Sequence, residues 1–189
     1  MEQTIIEKLD AIERNTLLAS KNVLTIDDAA ILTGISKSTL YKMTCKKQLP
    51  HYKPNNKLLF FDRKEIKDII SYFALISNTA DNVRLQRIIN TPKRGIGDTM
   101  FSYILEIASL NRMSAFEVCE HADEFSKTQR SAAKLKDFCE LIRHFQTCLE
   151  DGMSVNDLLQ EILEKTAYFN YLDEEDPTKA DDRKNNVNE

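Results

Sequence analysis

Glycine is scarce in this chain of 189 residues: Gly34, Gly95, Gly97 and Gly152 are all it has. That scarcity narrows the enzymatic options. A Walker A loop has the form G-x-x-x-x-G-K-S/T, in which backbone N–H groups surround phosphates and the lysine reaches them. Gly34-Ile35-Ser36-Lys37-Ser38-Thr39 lacks the second glycine ahead of its lysine, so it is not read as a nucleotide loop. Paired cysteines are missing too. Cys45, Cys119, Cys139 and Cys148 include no C-x-x-C pair, which reads as free thiols in a reducing compartment. His144 and Cys148, and Cys119 and His121, lack zinc-finger spacing, so no metal is expected. No apolar run approaches the roughly 18 residues of a membrane span. The start, Met1-Glu2-Gln3-Thr4-Ile5, has no signal-peptide character. No Ser/His/Asp order or carboxylate pair stands out, and Glu161 and Glu164 read as a solvated helix face. These absences lead to the expectation of a cytoplasmic protein without membrane contact, catalysis or cofactor.

Charge is what the chain does have, and it is unevenly placed. Residues 21–60 carry seven lysines against Asp27 and Asp28, a balance of +5. Residues 71–189 carry 14 Lys and Arg against 21 Asp and Glu, a balance of −7. A basic lobe on an acidic body points one end at a polyanion.

The chain opens with an amphipathic stretch over 3–20, with Ile5, Leu9, Ile12 and Thr16 or Leu17 on one face. It suits docking on its own domain or a homodimer seam. Thr25 then precedes an apolar helix with acids in its first turn, as an N-cap should. Gly34 ends it, and Ser36 caps a second helix from Lys37 to about Lys46. The expected small core is Ala29, Ala30, Leu32, Ile35, Leu40 and Met43. Two strand-like runs around Lys53-Pro54-Asn55-Asn56-Lys57 predict a hairpin, read as the only β-structure, and Asp62 caps the next helix.

In a helix-turn-helix the second helix enters the major groove by its N-terminal residues. Here those are Ser36, Lys37, Ser38, Thr39, Tyr41 and Lys42, with Lys46 and Lys47 placed for phosphates. Lys53, Asn55, Asn56 and Lys57 offer cations and amides at the hairpin tip. The segments Leu24 to Ala30, Ser36 to Lys42, Leu49 to Lys53 and Phe60 to Glu65 closely resemble excisionase-type, MerR-like winged helix-turn-helix proteins. The resemblance covers about residues 20–70. It implies double-stranded DNA as the partner, in an architectural or recombination-directing role.

Beyond residue 63 the pattern is helical, with expected helices at 63–78, 83–90, 99–110, 114–119 and 127–149, and one capped by Ser154. The helix at 99–110 is expected to turn Phe101, Ile104, Leu105 and Ala108 inward. Between two of these helices lies Pro92-Lys93-Arg94-Gly95-Ile96-Gly97-Asp98-Thr99. Glycines let backbone approach a ligand closely, and N–H groups at a helix start can face a phosphate.

The stretches Arg63 to Ile70, Arg87 to Gly97 and Leu163 to Tyr168 resemble the 2B subdomain of UvrD/PcrA/Rep-type superfamily 1 DNA helicases, from about residue 61 onward. In that family the Gly-Ile-Gly loop touches duplex DNA ahead of the fork. The resemblance implies backbone contacts from Gly95, Ile96, Gly97 and Thr99, with Lys93 and Arg94 beside them. Ala167 stands where the family usually has glycine, and no motor-domain motif is present.

The expectation is a mainly α protein. It has an N-terminal helix (1–20), a winged helix-turn-helix with a small β-hairpin (21–70), a helical bundle with a helix-hairpin-helix-like Gly-Ile-Gly loop (71–172) and a polar acidic tail (173–189). It reads as a non-catalytic DNA-binding protein. The alternative is a fragment or accessory module of a UvrD-like helicase that binds duplex DNA or a partner protein, such as a helicase or a recombination protein.

Overall fold

The computed structural model describes residues 16–54 and 58–177. The chain divides into two compact units, with the break between Ile66 and Lys67. Both are built mainly from helices.

The first unit begins, within the described residues, with the helical end of the N-terminal stretch at 16–20. Most of that stretch, and with it the proposed dimer seam, lies outside the described residues. Its inward residue is Leu18, 8% exposed, whereas Leu17 faces solvent. Strand β1 (Val23–Thr25) leads into helix α1 (Ile26–Thr33). Thr25 Oγ1 accepts from the Asp28 amide at 3.2 Å, and the Asp28 carboxylate accepts from the Thr25 amide at 3.1 Å. This reciprocal capping box satisfies two amides at the helix start. Gly34 ends α1 at φ +71°, its amide bonded to Ala30 O. Ser36 then caps helix α2 (Lys37–Cys45) by accepting from the Thr39 amide.

The β-structure differs from expectation. Strand β2 (Phe60–Asp62) pairs antiparallel with β1, Leu24 opposite Phe61. Among the described residues, the expected hairpin is represented by one bridge, Tyr52 to Phe60, with N···O distances of 3.0 and 2.9 Å. The pairing partner of 60–62 is thus non-local. The core shifts with it: Leu24, Phe61, Leu40 and Ala29 are fully buried, while Ala30, Leu32 and Ile35 are only half-buried.

Helix α3 (Arg63–Ser77) crosses the break. The second unit continues through α4 (Asn82–Ile88), α5 (Asp98–Asn111), α6 (Ala115–Glu120), α7 (Ala132–Glu150), α8 (Val155–Lys165) and α9 (Tyr168–Glu175). A single apolar cluster holds α3 to α8 together, with Tyr72, Leu85, Phe101, Phe116, Phe138 and Phe145 among its members.

Two local readings are corrected. On α5 the inward residue is Ile107, 6% exposed, and Leu105 is 38% exposed. Positions 101, 104, 107 and 108 make the buried stripe, and 105 falls at its edge. The long helix starts at Ala132 rather than 127, after a 3-10 turn at Gln129–Ser131. Buried Thr128 explains the delay: its hydroxyl donates to Ala122 O at 2.6 Å, an alternative to helical bonding.

Ala167, at the start of α9, has φ +50° and ψ +40°. Left-handed geometry disfavours a Cβ by about 1 kcal/mol, so the alanine there is strained. Lys47 and Arg112 share it, each at φ +57°.

Among the described residues, no helix is long and apolar enough to cross a membrane, and no three His, Cys, Asp or Glu gather as a metal set.

Candidate nucleic-acid interface

The glycine loop of the second unit is held from behind by polar groups. Asn90 Oδ1 accepts from the Arg94 amide at 2.8 Å and the Ile96 amide at 3.1 Å. The Arg94 side chain turns inward. Its guanidinium donates to the carbonyls of Ile88 (3.1 Å), Ile89 (3.3 Å) and Pro92 (3.1 Å), and to the Tyr72 hydroxyl (3.0 Å). It also lies over the Phe138 ring, 5.2 Å from the centroid. The Tyr72 hydroxyl donates in turn to Thr91 O at 2.7 Å. Burial pushes the Tyr72 phenol above its ordinary value, against the pull of Arg94, so it remains a donor. Ile96 plugs the loop into the core at 1% exposure.

The outer side of this loop is bare. Gly97 is the N-cap of α5, with extended φ −85° and ψ 175°, and supplies no capping side chain. The first-turn amides of Asp98, Thr99 and Met100 therefore receive no acceptor from their cap, and a helix start is electropositive. Gly95, Gly97, Asp98 and Thr99 are exposed. Such an edge accepts an anionic oxygen at close range. Asp98 is the one acid between residues 93 and 99.

Beside the loop is a cleft of about 360 Å³ whose walls include Lys93, Arg94, Lys134, Asp137 and Lys165. Lys93 is exposed and paired with Glu175 at 2.5 Å, which raises the lysine above its ordinary value. Of the residues expected to meet DNA here, the structure exposes Lys93, Gly95, Gly97 and Thr99. It places Arg94 and the Ile96 side chain as internal supports. Sequence reasoning did not single out Asn90 or Tyr72. Only the proximity of a polar residue to a glycine turn hinted at the first, and nothing at the second.

In the first unit, Ser36, Lys37, Ser38, Tyr41, Lys42, Lys46 and Lys47 are exposed, and Thr39 and Lys53 are half-buried. Ser36 Oγ also lies 3.0 Å from Ser38 Oγ and 2.9 Å from Thr39 Oγ1, so the three hydroxyls form one capping group. Lys37 pairs with Asp27, which raises the lysine. Lys21 pairs with Asp28 at 2.8 Å. Burial pushes the Asp28 carboxyl up, but Lys21 and the Thr25 donors outweigh it and hold the group below the usual carboxylate range. Asn55, Asn56 and Lys57 lie outside the described residues.

The second unit is thus a helical unit that presents a glycine loop at an uncapped helix start, beside a cleft lined in part by lysines. The UvrD-like helicase C-terminal domain family matches residues 3–146, and the chain belongs to that family. The ATP-dependent DNA helicase PcrA of Bacillus subtilis (strain 168) is 38% identical over 130 residues, 69% of this chain and 18% of the relative. PcrA of Staphylococcus aureus (strain Mu50) is 29% identical over 185 residues, 97% of this chain and 25% of the relative. PcrA of Staphylococcus epidermidis is 34% identical over 130 residues. The chain thus spans between 18% and 25% of the length of these relatives.

These findings correct the expectation of a non-catalytic protein. The family is one of helicases, and the named relatives are ATP-dependent enzymes. The expectation failed because it sought a phosphate loop inside the chain alone. A segment that matches a quarter or less of an enzyme need not contain its nucleotide site.

Proposed function

We propose that this chain is the part of a UvrD-like, ATP-dependent DNA helicase that holds duplex DNA, with the loop from Lys93 to Thr99 against the phosphate backbone. The relatives are DNA helicases by name. The observation that carries the reading is the uncapped start of α5: a 14-residue helix whose N-cap is Gly97, on a loop braced by Asn90 and Arg94. A braced loop presents its amides without first having to be ordered.

Gly97→Asp separates this role from folding. The position has ordinary φ and open space where a Cβ would stand. Aspartate caps helices better than glycine by a few tenths of a kcal/mol, so stability should hold or rise slightly. The same carboxylate occupies the anion's place and repels it. Titration with duplex and forked DNA across a salt series should show roughly tenfold weaker binding and a salt slope shallower by about one. Wild-type affinity in this variant would remove the loop from the interface.

A second reading is favoured by the first unit. Two helices join at Gly34, the second exposes Tyr41, Lys42, Lys46 and Lys47, and a strand bridge lies alongside. These features support reading the first unit as a winged helix-turn-helix in the excisionase style, which would give the chain a second duplex contact and a recombination role. In the same salt series, Lys42→Ala with Lys46→Ala should flatten the slope by about two. An unchanged slope would leave the loop as the sole reader.

A further inference from the structure

We propose that Lys134, contributed by α7, is a phosphate ligand of the glycine-loop site, and that the cleft running from it to Lys165 takes the next phosphate along the same strand. The inference rests on the loop reading above and extends it to residues distant in sequence.

Position comes first. A Cβ added to Gly95 would stand 2.8 Å from Lys134 Nζ. The ammonium therefore lies on the loop itself, in space that any other residue at 95 would contest. Gly95 is also at φ +74°, which by itself favours glycine there, while the flexible end of Lys134 fills the space beside it. A cation from α7 is thereby brought to the exposed glycine loop.

Commitment comes second. Lys93 is held by Glu175, and Lys165 lies 3.9 Å from Glu161. Lys134 differs. Among the described residues, it takes part in no hydrogen bond or ion pair, though it is exposed and lies beside a loop rich in backbone groups. A free ammonium beside Gly95, on the loop that leads into an electropositive helix start, favours the arrival of an anion.

Charge balance comes third. The chain beyond residue 70 is acidic, yet the walls of this cleft carry Lys93, Arg94, Lys134 and Lys165 with Asp137, while Glu175 and Glu161 lie against Lys93 and Lys165. Such focusing in an acidic body favours a polyphosphate backbone over a single small anion.

The test uses the full chain and a blunt duplex of about 20 base pairs, long enough to span several phosphates. Lys134→Gln should weaken binding roughly three- to tenfold and lower the salt slope by about one. Lys134→Arg should restore most of both. Lys136→Gln, two residues on and paired with Asp123 at 2.7 Å, should change neither. Inorganic phosphate in millimolar excess should not compete if the ligand is the polymer. Competition would overturn the extension to a second phosphate. If Gly97→Asp weakens binding and Lys134→Gln does not, Lys134 is no ligand and the loop reading stands. If neither variant changes binding, both readings fall together.

Discussion

Replacing Asp68 by alanine should destabilise the second unit by about 3 kcal/mol, the low end for breaking a buried ion pair from one side. The Asp68 side chain is 3% exposed and 2.7 Å from Arg87 Nη2. Its other oxygen accepts from the Tyr168 hydroxyl at 2.9 Å, a link across 100 residues. Alanine leaves a guanidinium and a buried phenol facing a gap. Arg87 is 31% exposed and recovers some hydration, which keeps the loss at the low end. Asp68→Asn keeps an acceptor for Tyr168 and should lose about half as much. Urea unfolding measures both. A loss below 1 kcal/mol for the alanine variant would show that water replaces the carboxylate.

Arg94→Ala should cost the same unit about 2 kcal/mol, because a charged donor set is lost and its acceptors stay partly buried. Those acceptors are three carbonyls, which share one guanidinium nitrogen, and a phenol, which takes the other. Lysine offers a single ammonium and no flat face for Phe138, so Arg94→Lys should be nearly as unstable as the alanine variant. Thermal unfolding of the pair decides the matter. A lysine variant as stable as wild type would mean that charge alone was needed there. Both changes should also weaken duplex binding, by loosening the support of the loop from Lys93 to Thr99.

The helix boundaries were legible because their signals are local. Thr25, Ser36 and Ser154 each cap the helix expected of them, with the hydroxyl accepting the amide three residues on. Gly34 stops α1 for an equally local reason. The pairing of Val23–Thr25 with Phe60–Asp62 was hidden, since three residues are too few to show alternation and the partner is distant. The buried polar groups were hidden as well. Asp68, Ser71 and Tyr72 interrupt the apolar pattern of α3 and would pass for its solvent face, yet each is at most 2% exposed. Their partners come from other elements, which periodicity does not register.

The candidate site divides along the same line. The glycines and Lys93 stood together in the chain and were found. Arg94 stood with them, and its charge suggested an outward role that four inward hydrogen bonds exclude for the guanidinium as placed. Lys134 reaches Gly95 from 39 positions away, and no spacing rule connects them. Residues 3–146 match the helicase family, a range that takes in the segments at 24–65 that read as excisionase-like. Short capped helices with basic faces are common to many DNA-binding proteins, so that vocabulary discriminates weakly.

Lys47, Arg112 and Ala167 carry side chains in a backbone region that glycine enters freely. Each forgoes about 1 kcal/mol that a glycine would recover, without touching the core or the loop. The consequence is evolutionary slack. A lineage that altered the loop for a new DNA shape, and lost stability doing so, has two positions away from both proposed DNA contacts, Arg112 and Ala167, where one substitution would compensate.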